Sequence, residues 1–252
     1  MLITTLGTSH GDPTYCRFNS STLFEIGGYF YLADVGAPAN ALMIRADKDP
    51  RKIKAIFVTH MHEDHVGGLP NMLKALIKYK IPGQFTDVFL PDRNAGPGLL
   101  AWIKSMYLEL PAEVIGLHTT DAGPETFYDD GIVKVTRIPT RHIHHLPYLA
   151  SFSYMFEAEG KKIMYSGDLR NDFSDFPLIG REDEDFDICF CEATHYEPEV
   201  ALPVLERCKI KKLVLNHIHN PWHGTGEQVL LDKYASLQYP VVVAHDGDSF
   251  EL

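Results

Sequence analysis

Thr59-His60-Met61-His62-Glu63-Asp64-His65 is a dense cluster of side chains that can bind metal ions. The cluster follows an apolar run at residues 53–58 that predicts a buried strand, and it precedes an amphipathic helical segment. His60 and His62 alternate, so an extended backbone directs both imidazoles to the same side. Asp64 and His65 come where the chain turns into the helix and are expected to reach a second point nearby. Imidazole and carboxylate suit zinc, iron or manganese, which predicts a hydrolytic pair of metal ions.

The pattern from His60 to His65 resembles the signature of the metallo-β-lactamase superfamily. Further segments occur in the family's order, so the resemblance covers nearly the whole chain: Leu-Gly-Thr-Ser at 6–9, Asp-Val-Gly at 34–36, Tyr-Ser-Gly-Asp at 165–168, Glu-Ala-Thr at 192–194 and Asn-His at 216–217. Within the superfamily, the sequence is most similar to the ribonuclease Z-like and related phosphodiesterase branch. The resemblance implies an α/β fold (an αββα sandwich) of two mixed sheets packed face to face. Helices are expected on the outer faces and the metal site at one edge, with residues 1–252 as a single domain.

Apolar runs and turn residues predict two groups of strands. Strands are predicted at residues 2–6, 22–26, 29–34, 53–58, 88–90, 114–117, 132–138, 151–157, 162–166, 188–191, 212–215 and 241–244. Helices are predicted at residues 37–46, 66–79, 98–110, 197–207 and 227–237. Hairpins in places and strand–helix alternation elsewhere predict two sheets with helices outside them.

Composition limits the class of protein. The chain has 45% apolar residues and no apolar run of eighteen residues, so no membrane partner is expected. Residues 1–5 lack the basic and apolar regions of a secretory signal, and there are only four cysteines, which predicts a cytoplasmic protein. Cys189 and Cys191 are interpreted as small buried apolar side chains rather than a disulfide. The sequence leaves a homo-oligomer open.

The formal net charge of −11 bears on the substrate. Nucleic-acid binding needs clustered lysine and arginine, and the sequence shows only a short basic run at residues 209–212. We therefore expect a small-molecule substrate and expect tRNA to be a poor partner.

Two metal sites need more ligands than residues 60–65 supply, and these are expected at the ends of other strands. Asp168 follows a predicted strand in a Ser-Gly-Asp turn, and in the family this aspartate bridges the two ions. His217 follows the strand at 212–215 and is preferred to His219, because the family's ligand stands there.

The last ligand lies among His142, His144 and His145. His142 is nearest the end of the preceding strand and is the first choice. His145 is the second choice, because the family's histidine usually lies closer to the next strand. The resulting assignment gives one ion to His60, His62 and His142 and the other to Asp64, His65 and His217, with Asp168 bridging both.

Three residues are expected to support the chemistry. Asp34 resembles the family's first-motif aspartate and is expected to accept a hydrogen bond from a ligand histidine or the loop backbone. Asp64 is also assigned a catalytic role, either orienting the attacking hydroxide or accepting its proton. His195 has two open interpretations, a general acid for the leaving group or a cap for the following helix. Ribonuclease Z-like proteins carry a separate histidine in a downstream insertion that this chain lacks.

These residues predict a dinuclear metal-dependent hydrolase of a phosphodiester, such as a small nucleotide or phosphoester, acting through a metal-bridging hydroxide. Two divalent ions are expected, with Zn²⁺ first and Mn²⁺ or Fe as alternatives. The alternative enzyme is a lactonase or lactamase that hydrolyses a C–O or C–N bond, for which Trp222 and residues 173–176 offer apolar side chains. A di-iron redox protein and a non-catalytic metal-binding protein form a third class.

Overall fold

The structure is a computed structural model that describes residues 1–119 and 123–252. The chain divides into a first unit, Met1–Asp121 with Asp246–Glu251, and a second unit, Ala122–His245 with Leu252. Each unit contains one seven-stranded mixed sheet and helices, which confirms the predicted α/β fold class. The assignment of residues 1–252 to a single domain stays a prediction.

The strands and helices follow the predicted order. The strands are β1 (Leu2–Gly7), β2 (Ser21–Ile26), β3 (Tyr29–Ala33), β4 (Ile53–Phe57), β5 (Thr86–Leu90), β6 (Ile115–Thr119), β7 (Glu125–Asp129), β8 (Lys134–Pro139), β9 (Phe152–Ala158), β10 (Lys161–Tyr165), β11 (Asp185–Phe186), β12 (Ile188–Ala193), β13 (Lys209–Ile210), β14 (Leu213–Ile218), β15 (Val241–Val243) and β16 (Ser249–Glu251). The helices are α1 (Ala39–Arg45), α2 (Glu63–Val66), α3 (Leu69–Lys78), α4 (Ala95–Ser105), α5 (Pro198–Leu205) and α6 (Gly226–Lys233), with 3₁₀ turns at Pro50–Lys52 and Asn220–Trp222. None of the helices in residues 1–119 and 123–252 is long and apolar enough to cross a membrane.

The two sheets share one pattern of strand pairing. The first has the order β16-β1-β2-β3-β4-β5-β6, antiparallel as far as β3 and parallel from β3 to β6. The second has the order β7-β8-β9-β10-β12-β14-β15, antiparallel as far as β10 and parallel beyond it. The parallel strands bring the loops at their carboxyl ends to one edge of each sheet, where α/β proteins place their ligands.

The helix predicted at residues 66–79 is observed as α3, which begins only at Leu69. The short helix α2 precedes it, and a pair of glycines at 67–68 separates the two. The N–H of Gly68 donates to the carbonyl oxygen of Val35 at 2.8 Å. A Cβ at Gly68 would lie 2.8 Å from the carbonyl oxygens of Val35 and Gly36, so a larger residue cannot occupy this position without a shift of the backbone. The break therefore holds the ligand segment against the end of β3.

Helix α3 packs on the core of the first unit through one apolar face. Its buried residues recur at helical spacing: Leu69, Met72, Leu73 and Leu76. They belong to one cluster with side chains from β1 to β6 and from α1 and α4. This stripe of apolar side chains explains why the segment is a helix.

The core of the second unit contains buried aromatic and sulfur side chains. Phe173 and Phe176 are buried and stack with ring centroids 4.5 Å apart, so they are core residues and do not line a pocket for an apolar substrate. Cys189 and Cys191 are buried free thiols, as interpreted from the sequence. Burial raises the pKa of the Cys191 thiol to about 12 and that of Cys208 to about 11.

We predict that a thiol reagent at pH 8 modifies one cysteine in the native protein and four after denaturation. The thiolate is the reactive form, and a pKa raised above the working pH leaves the buried thiols protonated. Cys16 is exposed, so Cys16→Ser removes the fast reaction. Fast modification of a second native thiol, measured by absorbance and peptide mass, would contradict the burial of Cys189, Cys191 and Cys208.

Candidate metal centre

A buried carboxylate at the end of β3 fixes the ligand segment of the first unit. Asp34 is fully buried. Its Oδ1 accepts hydrogen bonds from the Thr59 N–H at 2.8 Å and the Thr59 hydroxyl at 3.0 Å, and its Oδ2 lies 2.8 Å from His65 Nδ1. These are the contacts predicted for Asp34. They orient the His65 ring so that Nε2 is directed away from Asp34, and its role toward a metal ion stays a prediction.

The four predicted ligands of the first unit lie close together. His60 Nε2 is 3.0 Å from His62 Nδ1, and the ring centroids of His60 and His65 are 4.1 Å apart. His65 Nε2 is 3.3 Å from Asp64 Oδ2. His60, Asp64 and His65 are buried, whereas His62 is exposed. The segment after β4 therefore brings three imidazoles and a carboxylate together, as the alternation of residue types predicted.

Asp168 lies at the centre of the cluster in the second unit. Its Oδ2 is 3.7 Å from both His142 Nε2 and His195 Nδ1, and its Oδ1 is 3.5 Å from His217 Nε2. One ligand atom from each of Asp168, His195 and His217 lies within 4.8 Å of the other two. His142, Asp168 and His195 follow the carboxyl ends of β8, β10 and β12, and His217 lies near the carboxyl end of β14. The fold therefore brings side chains from four different strands into one cluster.

The alternative histidines lie elsewhere. His144 and His145 are exposed, and so is His219, whereas His217 is only 3% exposed. The structure therefore brings His142 and His217 to Asp168, although their identity as metal ligands stays a prediction. The reason for the position of His217 is visible in the backbone.

A β-bulge on β14 places His217. Glu192 pairs with Asn216, and Ala193 pairs with Ile218, so His217 is the additional residue between them. Its φ of +49° lies in the left-handed region, which residues other than glycine adopt rarely. A bulge redirects a side chain that regular alternation would direct to the other face of the sheet. His217 therefore lies inside β14, which extends to Ile218 and not only to residue 215 as predicted.

Glu192 is a site residue that the sequence did not assign. It is buried, and its Oε2 accepts hydrogen bonds from the backbone N–H of His195 at 2.9 Å and lies 2.8 Å from His195 Nδ1. Its Oε1 accepts a hydrogen bond from Leu169 N–H at 2.6 Å. Glu197, not His195, is the N-cap of α5. A glutamate three residues before a histidine, directly after a strand, was the sequence signal for this pair.

Asp175 connects the two loops that carry His142 and Asp168. Its Oδ2 accepts a hydrogen bond from the Arg141 N–H at 2.6 Å, and its Oδ1 accepts one from the Arg170 N–H at 3.0 Å. Burial raises the pKa of the Asp175 carboxyl above its ordinary value, against the opposing effect of these two hydrogen bonds. The spacing of the two loops therefore depends on one carboxylate.

The side chains present fit a divalent transition-metal ion. Imidazole nitrogens predominate, carboxylates supply the remaining donors, and no cysteine belongs to the clusters found among the described residues. This mixture suits zinc, iron or manganese, whereas calcium and magnesium favour sites made of oxygen ligands.

Comparison with known proteins identifies the family. The family described as "Beta-lactamase superfamily domain" matches residues 32–229. The chain belongs to this superfamily. Ribonuclease Z of Methanocaldococcus jannaschii is 27% identical over 158 residues, which are 60% of this chain and 46% of that protein. The chain thus spans about half the length of this curated relative.

Solved structures share the fold. Human tRNase Z, short form, has a TM-score of 0.78 and 21% identity, covering 100% of this chain and 99% of that one. A diphosphatase from the PhnP family has a TM-score of 0.72 and 20% identity, covering 100% of this chain and 97% of that one. The predicted resemblance to the ribonuclease Z-like branch is confirmed. Superfamily membership and the ribonuclease Z relatives support the predicted metal-dependent hydrolase.

The prediction that tRNA is a poor partner is wrong. Proteins named Ribonuclease Z and tRNase Z are among those that match the chain. The prediction failed because a net charge of −11 sums over the whole surface. Binding of phosphate depends on the few cations near the site, which a net charge does not describe.

We predict that Asp34→Ala weakens metal binding by about 10- to 100-fold, because a residue that orients a ligand histidine typically has an effect of this size. The loss leaves buried donors of Thr59 without their acceptor, so the free energy of unfolding should also fall by about 1–3 kcal/mol. Chelator competition and chemical denaturation measure the two effects.

Asp49→Ala is the matched control, because Asp49 also accepts a backbone hydrogen bond, from Arg51, but lies at the surface. Equal metal affinities in the wild type and Asp34→Ala would show that Asp34 does not orient His65.

Proposed function

We propose that the chain is a dinuclear metal-dependent phosphodiesterase that acts on RNA, with Zn²⁺ as the preferred ion. The proposed ligands are those expected from the sequence: His60, His62, Asp64, His65, His142, Asp168 and His217. The observation that carries the proposal is the convergence on Asp168, at distances of 3.5–3.7 Å, of two proposed ligands, His142 and His217, and of His195, the proposed general acid. The names of the ribonuclease Z relatives support RNA as the class of phosphodiester.

Bound divalent ions would act as Lewis acids and lower the pKa of coordinated water, which is the chemistry required to attack a phosphodiester. Asp64 is only 7% exposed, and its carboxylate lies 3.3 Å from His65 Nε2, where it is suited to orient the attacking water and accept its proton. Asp64 therefore combines the roles of ligand and proton acceptor in this proposal.

His195 is proposed to protonate the leaving oxygen. Its Nδ1 lies 2.8 Å from Glu192 Oε2, and because a carboxylate accepts hydrogen bonds, Nδ1 is assigned as the donor. Nε2 is then the atom that exchanges a proton with the substrate. The side chain is 30% exposed, in contrast to the fully buried side chain of Glu192. A buried carboxylate that orients a more accessible histidine is the arrangement expected of a general acid.

Asp168→Ala tests the proposed centre. Removal of the bridging carboxylate should lower the bound metal from about two ions per chain, because both ions lose a ligand, and should abolish hydrolysis of RNA and of bis-p-nitrophenyl phosphate. Elemental analysis and initial rates measure the two effects. Asp183→Ala, at a fully exposed aspartate, is the control.

Two ions in Asp168→Ala would contradict the bridging role. Hydrolysis of lactones or β-lactams by the wild type, with no activity on any phosphodiester, would contradict the reaction class.

His195→Ala tests the general acid. The ribose oxygen of RNA is a poor leaving group that requires a proton, whereas p-nitrophenolate leaves without one. We therefore predict that the rate on RNA falls by about 10²- to 10⁴-fold and that the rate on bis-p-nitrophenyl phosphate falls far less. Metal content should remain that of the wild type. An equal fall on both substrates would show that His195 acts on metal binding or on the fold rather than on the leaving group.

A further inference from the structure

A cavity of about 470 Å³ lies in the second unit beside the loops that carry His142 and Asp168. Arg141, His144 and Tyr148 line it from the loop between β8 and β9, and Arg170 lines it from the loop after β10. We call it the arginine cavity. Arg141 directly precedes His142, and Arg170 is two residues after Asp168, so the cavity is lined by the two loops that carry these proposed ligands.

The charge of the arginine cavity is opposite to that of the whole chain. Its lining residues include two arginines and no carboxylate, although the chain has a net charge of −11. The Arg170 guanidinium lies 3.3 Å from the Asp172 carboxylate. Both of these side chains are substantially exposed, and an ion pair of this kind is weak enough for a phosphate to replace it.

Asp175 fixes both arginines at the backbone. Its carboxylate oxygens accept hydrogen bonds from the backbone N–H groups of Arg141 and Arg170, at 2.6 and 3.0 Å respectively. The carboxylate is thereby directed to the backbone, and the guanidinium groups extend from two loops whose spacing is set. Guanidinium geometry matches the oxygens of a phosphate, so two arginines on loops held at a fixed spacing are suited to contact one anion.

We propose that the arginine cavity binds one nucleotide of an RNA strand next to the scissile phosphate, which deepens the proposed function and rests on it. Arg141 and Arg170 hold the phosphate of this nucleotide, and the Tyr148 ring stacks on its base. The cavity is large enough for one nucleotide, since ligand pockets have volumes of about 300–1,000 Å³. Contact through phosphate and a base face selects single-stranded nucleic acid without selecting a sequence.

Salt dependence of RNA binding tests the two arginines. The probe is a hydrolysis-resistant phosphorothioate RNA of about ten nucleotides, bound to the metal-loaded full chain and followed by fluorescence anisotropy. Each phosphate contact on a single strand contributes about 0.7 to the slope of log K against log salt. Arg141→Ala and Arg170→Ala should each lower the slope by about 0.7 and the double variant by about 1.4.

Matched variants separate charge from packing. Arg141→Lys should keep the wild-type slope, because it keeps the charge. Arg207→Ala, at an exposed arginine outside the cavity lining, should leave the slope unchanged. Tyr148→Ala should weaken binding by roughly fivefold to a hundredfold at an unchanged slope, and Tyr148→Phe should restore it. A wild-type slope in the double variant would overturn the proposal.

The outcome is distinguishable from failure of the proposed function. RNA cleavage by the wild type together with a wild-type slope in the double arginine variant would overturn the cavity alone. Arginine-dependent RNA binding with no cleavage of any phosphodiester would overturn the reaction and support the cavity. A labelled mononucleotide that binds as tightly as the RNA, with the same dependence on the arginines, would overturn the assignment to an RNA strand.

Discussion

Hydrogen bonds from backbone N–H groups to carboxylates are the interaction on which the candidate site depends. Asp34 holds the segment after β4, Glu192 holds the loops after β10 and β12, and Asp175 holds the loops after β8 and β10. Loops at the carboxyl ends of parallel strands leave backbone donors that no neighbouring strand satisfies. A carboxylate supplies two strong acceptors at once, so one side chain can fix two loops and the ligands on them.

The acidic residues of the candidate site have two different roles. Asp64 and Asp168 have carboxylate oxygens 3.3–3.7 Å from imidazole nitrogens, and this donor set is suited to a metal ion. Glu192 and Asp175 accept hydrogen bonds from backbone N–H groups and hold the loops instead, and Glu192 also lies 2.8 Å from His195 Nδ1. Carboxylates thus supply candidate metal ligands in one setting and hold the loops that carry these ligands in another. This division is typical of sites that must be rigid before the substrate binds.

The sequence predicted the fold class, the order of the main strands and the cluster after β4, because each depends on local patterns. Apolar runs mark buried strands, and the spacing of residues 60–65 is itself a chemical pattern. The roles of Glu192 and Asp175 depend on hydrogen bonds to residues distant in sequence, which periodicity does not report. The bulge at His217 was equally hidden, since bulges have no strong sequence signature. Strands β11, β13 and β16 were missed because they have only two or three residues, and β7 was missed because none of its five residues is buried, so it lacks the apolar run that marks a buried strand. The arginine cavity was missed because Arg141 and Arg170 are 29 positions apart, so no basic run marks them.

Burial of the cysteines has a consequence for which metal ions the protein can hold. Cys191 directly precedes Glu192 on β12, so a soft sulfur donor lies one residue from the carboxylate network. A thiol binds zinc only after it loses its proton. Burial raises the pKa of the Cys191 thiol to about 12, so the thiol stays protonated at pH 7. Burial thereby prevents the Cys191 thiol from acting as a zinc ligand. Only nitrogen and oxygen donors then remain to determine which ion the site prefers.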